Sequence, residues 1–376
     1  MSKFVFSADG HIVEPPTLFM EGLPPSLREY GMHAEMKDGF MHMMVGDKVV
    51  SKMALNRPQP KPPEPGKEEE TFGRGNKIGT REILPRIEDM KHEGVDAEIC
   101  FPSQGLWVSL IENPEAELAS AQIYNNWNDK FFAGHLDKFI RCGILPVHDF
   151  NNTVAEIKRL SEMGFTAAML PSLIEDRNNI PRYNSEAWDP VFEAAQRYNM
   201  VMVMHCGTGR EDVRAHKGPG GAVINYTIQM CDAQHSIMHL VAGGVLDRFP
   251  GVKIAFIENG ASWLAGLAER MDEVYNAHHM FVKPKLSILP SEIIKRQVHV
   301  SFQYDRACIM SRSVTGHKAL MWGADYPHNE GTWPHSKKVV SHLFDGIDIS
   351  EQEQADIIGG NAARLFRLHR PEFVNG

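Results

Sequence analysis

The stretch Ser7–Pro15 holds a dense set of side chains that are capable of chemistry. It follows an apolar run and places Asp9, His11 and Glu14 within six residues. Alternate residues of a strand face the same side, so Asp9 and His11 share a face if the strand continues that far, and Glu14 can reach it from the following loop. Clustered carboxylate and imidazole groups suit a divalent metal ion. The same residues also fit a turn cap, a loop histidine and a solvated acid, so this stretch alone leaves both interpretations open.

Ionisable residues also follow three later apolar runs of strand length. Their burial without partners would cost several kcal/mol per charge. A metal ion offsets that cost, and four separate strand ends with metal-type ligands therefore indicate a metal site. These later residues are His205, Glu258, Asp325 and, three positions further on, His328.

A further histidine pair, His235 and His239, lies four residues apart in a predicted helix. Residues at this spacing share one helix face. The pair fits a face that packs against a barrel wall, and it also fits metal ligation, so His239 is kept as a candidate ligand.

The elements that must position these residues are apolar runs separated by helical-period sequence. Near-continuous apolar strands alternating with helices are typical of a parallel sheet covered on both faces. Eight such runs predict an α/β fold, a (β/α)8 TIM barrel in which site residues lie at the carboxyl ends of the strands. The runs are Phe4–Ser7, Ala97–Phe101, Phe139–Leu145, Phe165–Leu170, Met200–Met204, Val252–Ile257, Val298–Phe302 and Ala319–Gly323.

Residues 15–80 interrupt this rhythm with a segment that is rich in Pro and Gly and poor in helical pattern. A connection of this length inside a compact domain is usually functional or disordered. We expect a lid-like insertion after the first strand, over the barrel mouth, within a single domain that spans residues 1–376.

Composition narrows the class of protein. The 376 residues are 43% hydrophobic and carry a net charge of −9 without a long basic block, which disfavours nucleic acid and anionic membranes as partners. The beginning of the sequence has no signal-peptide pattern and no apolar run near 18 residues occurs, so we expect a cytoplasmic protein. The five cysteines are odd in number and scattered, which indicates reduced core residues.

The run Trp322–His328 and the closing segment Asn361–Phe366 resemble the amidohydrolase superfamily, in the branch that contains aminocarboxymuconate-semialdehyde decarboxylase. The similarity spans nearly the whole chain. It implies a distorted barrel with metal ligands at strands one, five, six and eight. Carried over by position, the ligands are Asp9 and His11 on strand one, His205 on strand five, Glu258 on strand six and Asp325 on strand eight.

The departures from this pattern concern carboxylates. Asp9 and Glu258 stand where the family usually has histidine, and Glu14 is an additional acid. An oxygen-rich site shifts the metal preference from zinc toward iron or manganese, and more ligands permit a second metal. A first motif of His-x-x-Glu form, with Glu on the sixth strand, resembles the subset of the superfamily that includes dinuclear iron monooxygenases.

This resemblance implies, as the favoured reading, a dinuclear Fe or Fe/Mn monooxygenase that acts on a small organic substrate with dioxygen. Its electrons would come from a ferredoxin and a reductase, and we expect an oligomer. The catalytic residues would be Asp325, His328 and Glu258. The metal ligands would be Asp9, His11, Glu14, His205, His239, Glu258 and Asp325.

The main alternative is a mononuclear Zn- or Mn-dependent hydrolase or decarboxylase of an aromatic carboxylic acid. In that reading Asp325 or His328 moves the proton. Arg57, Arg74 and Arg210 are then candidates to bind a carboxylate. A non-enzymatic subunit is a third possibility, which the intact ligand set argues against.

Overall fold

The computed structural model describes residues 3–54, 78–174, 179–210, 213 and 215–370. The strands in this part of the chain are, in order, β1 (Phe6–Ser7), β2 (Met32–Lys37), β3 (Phe40–Val45), β4 (Lys48–Ala54), β5 (Ala97–Cys100), β6 (Phe139–Ile144), β7 (Ala167–Pro171), β8 (Val201–His205), β9 (Ile254–Ile257), β10 (Val298–Phe302) and β11 (Leu320–Trp322). Each of the eight predicted apolar runs contains or overlaps one of these strands.

Eight strands form one parallel sheet in the order β1-β5-β6-β7-β8-β9-β10-β11. The sheet closes between its first and last strands. The N–H of Ala8 donates to the carbonyl of Trp322 at 2.9 Å, and the N–H of Asp325 donates to the carbonyl of Asp9 at 3.0 Å. The predicted distorted (β/α)8 barrel is therefore confirmed.

The helical segments surround this sheet and connect its strands. Several begin at side-chain caps, as the sequence chemistry requires: the Asn113 side chain accepts the N–H groups of Glu115 and Ala116, and Asp149 accepts that of Asn151. The helical segments are Leu18–Gly22, Pro25–Tyr30, Ile78–Thr80, Ile83–Glu93, Gly105–Leu110, Pro114–Phe131, Phe150–Glu162, Glu186–Trp188, Asp189–Arg197, Gly221–Ile228, Met230–Ala242, Val245–Arg248, Trp263–Ala277, Pro290–Gln297, Arg306–Met310, Arg312–Thr315, His317–Ala319, Ser336–His342, Glu351–Ala355, Asp356–Gly360 and Asn361–Leu365.

The core divides into two layers because side chains alternate along each strand. On β8, Val201 and Val203 belong to one buried cluster, and Met202 and Met204 belong to another that includes the surrounding helices. The first cluster fills the barrel interior. His205 continues the alternation of Val201 and Val203, so its imidazole enters the barrel interior at the carboxyl end of the strand.

The described part of the predicted 15–80 insertion contains a small antiparallel sheet, in the order β2-β3-β4. Its residues Met43 and Val45 share a buried cluster with Val108 and Leu110, which lie just after the carboxyl end of β5. The sheet therefore packs beside the barrel mouth. Residues 55–77 lie outside the described residues, and the lid role of the insertion stays a prediction.

Within the described residues, no helix is both long and apolar enough to span a membrane. The five cysteines are all free, and Cys100, Cys142 and Cys308 are buried. The expectation of unpaired core cysteines holds for these three.

Candidate metal centre

Five of the predicted ligands meet at the carboxyl ends of four barrel strands. Side-chain atoms of Asp9, His11 and His205 lie within 4.8 Å of one another, and so do atoms of His11, Glu258, Asp325 and His328. Asp9, His11, His205 and Asp325 are at most 1% exposed. The fold thus joins residues that are more than 300 positions apart in the chain.

Hydrogen bonds to backbone carbonyls orient the imidazoles of His11 and His205. Nδ1 of His11 lies 3.0 Å from the carbonyl of Pro102, and Nδ1 of His205 lies 2.9 Å from the carbonyl of Cys206. Each Nδ1 can only donate to a carbonyl, so each Nε2 is left as the unprotonated, ligating nitrogen of a neutral ring. Both Nε2 atoms point into the cluster.

The carboxylates are presented by unusual backbone geometry. Glu258 directly follows β9, and Asp325 lies three residues after the end of β11. Their φ angles are +62° and +52°, in the left-handed region that non-glycine residues rarely adopt. The N–H of Glu258 donates to Ser301 Oγ at 2.9 Å. In the turn after Glu258, the N–H groups of Ala261 and Ser262 donate to Asp305 Oδ2. Strained residues of this kind cluster at functional sites.

The distances fit one metal ion. His11 Nε2 lies 3.7 Å from Asp9 Oδ1 and 3.6 Å from Asp325 Oδ1, while His205 Nε2 lies 3.5 Å from Asp9 Oδ1 and 3.6 Å from Glu258 Oε2. Ligand atoms held at about 2.1 Å from one ion are about 3.0–3.5 Å apart. Asp9 Oδ1 and both Nε2 atoms are buried and have no hydrogen-bond partner among the described residues. Buried polar atoms are normally paired, so these three atoms fit a cation.

The electrostatics of the cluster also fit a cation. Burial, with repulsion from His328 and His205, holds the pKa of His11 well below its ordinary value. Burial alone would lower the pKa of His205, but Asp9 and Glu258 outweigh it and raise that pKa. Burial and the neighbouring Asp325 raise the pKa of Glu258 well above its ordinary value. Ionised carboxylates are therefore crowded here, and a cation would relieve the crowding.

His328 is the outermost member of the cluster. Its side chain is 36% exposed, and its Nδ1 lies 2.8 Å from Asp325 Oδ1. Its ring centroid lies 4.3 Å from that of His11. His328 therefore stands between solvent and the buried ligands, where a proton-transferring group is needed.

The structure places Glu14 outside the clustered ligand atoms. This carboxylate is fully buried, but its oxygens accept the backbone N–H groups of Ser103, Gln104 and Gly105 at 3.2, 2.9 and 2.8 Å. It therefore caps the start of the helical segment Gly105–Leu110, because the first N–H groups of a helix lack internal partners. Glu14 was predicted as a ligand because it lies only five residues after Asp9 in the sequence. The sequence does not show that its carboxylate caps a helical segment.

His239 also lies outside the clustered ligand atoms. Its Nδ1 lies 3.1 Å from Asn184 Oδ1, and with His235 it lines a separate cleft beside Leu173 and Tyr183. Neither histidine belongs to the ligand cluster. His235 is exposed and His239 is half-buried, while the buried face of this helix carries Ser236, Ile237 and Leu240.

The arginine candidates receive no support as binders of a carboxylate at this cluster. Arg210 forms a two-point ion pair with Asp232, at 2.6 and 2.5 Å. Arg57 and Arg74 lie outside the described residues.

Several supporting residues could not be recognised from the sequence. Gln303 Nε2 donates to Asp9 Oδ2 at 3.4 Å, and Ser7 Oγ bridges the carbonyl of Asp9 and the N–H of Ala324 at 2.6 and 2.8 Å. The position of Gln303 just after a predicted strand was the one available signal. Such outer partners orient metal ligands.

The comparisons with known proteins place the chain in a family. The amidohydrolase family model matches residues 76–368, so the chain belongs to the amidohydrolase family. A curated relative, 2-amino-3-carboxymuconate-6-semialdehyde decarboxylase from Dictyostelium discoideum, is 23% identical over 297 residues, which are 77% of each protein.

Solved structures share the fold. An amidohydrolase from Mycobacterium avium subsp. paratuberculosis superposes with a TM-score of 0.78 at 18% identity, over 97% of this chain and 98% of the other. A variant of 5-carboxyvanillate decarboxylase from Novosphingobium aromaticivorans, solved with manganese and 3-methoxy-4-hydroxy-5-nitrobenzoic acid, has a TM-score of 0.69 at 16% identity over 98% of both chains. The predicted superfamily and its decarboxylase-containing branch are thereby confirmed. None of these three relatives is named as a monooxygenase.

Proposed function

We propose that this chain is a decarboxylase of a small unsaturated or aromatic carboxylic acid that depends on one divalent metal ion, with Mn²⁺ as the best candidate. The observation that carries the proposal is the set of buried, unpartnered atoms Asp9 Oδ1, His11 Nε2 and His205 Nε2 at one strand-end cluster. The decarboxylase named above among the curated relatives, and manganese in a structure of the same fold, support it.

The metal would be held by Asp9, His11, His205 and Asp325, with Glu258 as a fifth ligand. With three carboxylates and two imidazoles, this donor set is richer in oxygen than in nitrogen, which suits manganese or iron better than zinc. When bound, the ion supplies positive charge that anchors and polarises the substrate carboxylate and an adjacent oxygen. The capping role of Glu14 leaves too few carboxylates for an obvious second ion.

His328 would deliver the proton. Its Nδ1–H donates to Asp325 Oδ1, which leaves Nε2 on the opposite side of the ring. Protonated at Nε2, it transfers that proton to the substrate carbon that bears the carboxylate. The bond from this carbon to the carboxylate then breaks, its electron pair stays with the substrate, and CO2 leaves.

The chain's other contribution is to exclude water and fix orientation. The ligand side chains are almost fully buried, and the imidazoles are held by backbone carbonyls rather than by mobile side chains. Preorganised groups of this kind need no rearrangement during reaction, which is a main source of rate enhancement.

The test is CO2 release by Mn²⁺-loaded protein from a panel of ortho-hydroxybenzoic acids and unsaturated amino-dicarboxylic acids, with dioxygen excluded. The proposal expects turnover of at least one acid without dioxygen. It also expects His328→Gln to lower kcat by about 10²–10⁴-fold, the usual contribution of one acid–base group, while Mn²⁺ binding is retained. An exposed histidine outside the cluster, His335, provides the control variant His335→Gln.

The dinuclear iron monooxygenase remains the second candidate, because Asp9 and Glu258 bring carboxylates to positions where the family usually has histidine. It requires about two irons per chain, dioxygen and an electron-donor protein. Turnover that needs dioxygen and a reductant, with two irons per chain, would replace the decarboxylase proposal.

A further inference from the structure

A buried arginine lies directly behind the candidate metal centre. Arg86, on the helix Ile83–Glu93, is 1% exposed and forms a two-point ion pair with Glu98 of β5, at 2.6 and 2.9 Å. Paired groups of this kind are rarely buried, because removing two charges from water is expensive. Their position in the molecule therefore needs an explanation.

The arginine contacts both segments that carry ligands at the barrel closure. Its Nη1 donates to the carbonyl of His11 at 3.0 Å. Its guanidinium stacks over the ring of Tyr326, 3.9 Å from the centroid, and Tyr326 directly follows Asp325. The N–H of His11 in turn donates to the carbonyl of Tyr326 at 2.6 Å.

The residues around Arg86 are closely packed. A Cβ added to Gly10, between Asp9 and His11, would lie 2.7 Å from Arg86 Nη2 and 2.9 Å from Glu98 Oε2. The hydroxyl of Tyr326 donates to Asp89 Oδ2 at 2.5 Å, and Asp89 lies on the same helix as Arg86. One helix therefore holds both the first and the last barrel strand ends.

We propose that Arg86 is a positioning residue for the metal centre. Through the His11 carbonyl and the Tyr326 ring it sets the separation of His11 and Asp325 across the closure of the barrel. This inference rests on the proposed function only in requiring that the cluster binds a divalent metal. The rigid, planar fork of arginine is needed, because a lysine ammonium cannot pair with Glu98 at two points, reach the His11 carbonyl and stack on a ring at once.

The barrel offers a matched control, Arg141 of β6. It is also buried, paired with Asp129, stacked over the Phe165 ring at 4.3 Å and bonded to a backbone carbonyl, that of Met163, at 3.1 Å. These partners lie near the amino-terminal ends of the strands, remote from the ligands. The two arginines thus share their chemistry and differ in what they touch.

The experiment measures Mn²⁺ affinity by the electron paramagnetic resonance signal of free Mn²⁺, with urea unfolding of the chelator-treated protein measured in parallel. We expect Arg86→Lys to weaken Mn²⁺ binding about 10–100-fold, as outer partners of metal sites do. We expect Arg141→Lys to destabilise the fold and leave the Mn²⁺ dissociation constant within about twofold of wild type. Glu98→Gln, which preserves side-chain volume, tests the same pair if Arg86→Lys does not fold.

Wild-type Mn²⁺ affinity in both Arg86→Lys and Glu98→Gln would overturn the positioning role and leave the proposed function intact. Equal weakening in Arg86→Lys and Arg141→Lys would also overturn it, since general stability would then explain the effect. A wild-type protein that binds no Mn²⁺, Zn²⁺ or Fe²⁺ would overturn the proposed function and this inference together.

Discussion

Glu258 combines two unfavourable features that a bound cation would offset. Its φ of +62° lies in the left-handed region, which costs a non-glycine residue about 1–2 kcal/mol. Its carboxylate also lies within 4.8 Å of an oxygen of Asp325. Two full charges at that separation would repel by about 3.5 kcal/mol at an effective dielectric constant of about 20. Burial and this repulsion outweigh the attraction of His205, so the pKa of Glu258 is raised. Neither feature helps the metal-free protein to fold.

Two substitutions separate the features. Glu258→Gln removes the charge and keeps the backbone strain, while Glu258→Asn removes the charge and places a residue that tolerates the left-handed region. In a chelator at pH 8 we expect the free energy of unfolding to rise by about 1–3 kcal/mol for Gln and by about 1 kcal/mol more for Asn. Both variants should lose most of the stabilisation that Mn²⁺ gives wild type.

The assay is urea unfolding followed by tryptophan fluorescence, with chelator and with excess Mn²⁺. Glu330→Gln, which removes an exposed acid on the loop that carries Asp325, is the control and should change neither quantity by more than about 0.5 kcal/mol. A loss of stability for Glu258→Gln in chelator, or an unchanged response to Mn²⁺, would refute the reasoning that Glu258 is held in place for a cation.

Three further predictions concern groups with separable roles. Glu14→Gln should lower the free energy of unfolding by about 1–3 kcal/mol, because an amide leaves some of the three N–H donors unpaired. The metal content per chain, measured by elemental analysis, should equal that of wild type. A loss of metal would indicate that Glu14 is a ligand. Metal removal should lower the melting temperature, and Mn²⁺ at 100 times its dissociation constant should restore about 2.7 kcal/mol, which calorimetry can check against a His11→Ala variant that shows no response. Burial and Lys253 lower the pKa of His299 to about 4. The folded chain therefore binds fewer protons than the unfolded chain between about pH 6.5 and 4. The contribution of neutral His299 to stability should be fully present above that range and should be lost as the pH falls through it, by at most about 3 kcal/mol. Unfolding measured against pH should show a shallower loss for His299→Gln, and equal slopes would contradict the assignment.

The barrel could be predicted because its strands are local features. Runs such as Met200–Met204 and Val298–Phe302 are apolar on both faces, and only a sheet covered on both sides buries such runs fully. The residues just after each run then lie near the carboxyl end of a strand, which is why His205, Glu258 and Asp325 were chosen as candidate ligands.

Two predicted ligands, Glu14 and His239, lie outside the cluster because their partners could not be read from the sequence. Glu14 has the chemistry of a ligand, but its carboxylate is used by N–H groups 89 to 91 positions away. His239 shares a helix face with His235, and no pattern shows which neighbour that face meets. The preference for a dinuclear site depended on Glu14 together with the carboxylates Asp9 and Glu258.

The sequence by itself determined the fold, the family and the residue types at the strand ends, because period, apolar content and short motifs are readable along one chain. The tertiary structure alone decided which acids lie close enough to share one ion, because that depends on distances between side chains from four different strands. It also decided that Arg86 stands behind His11 and Tyr326, because a contact across the closure of a barrel exists only when the first and last strands meet.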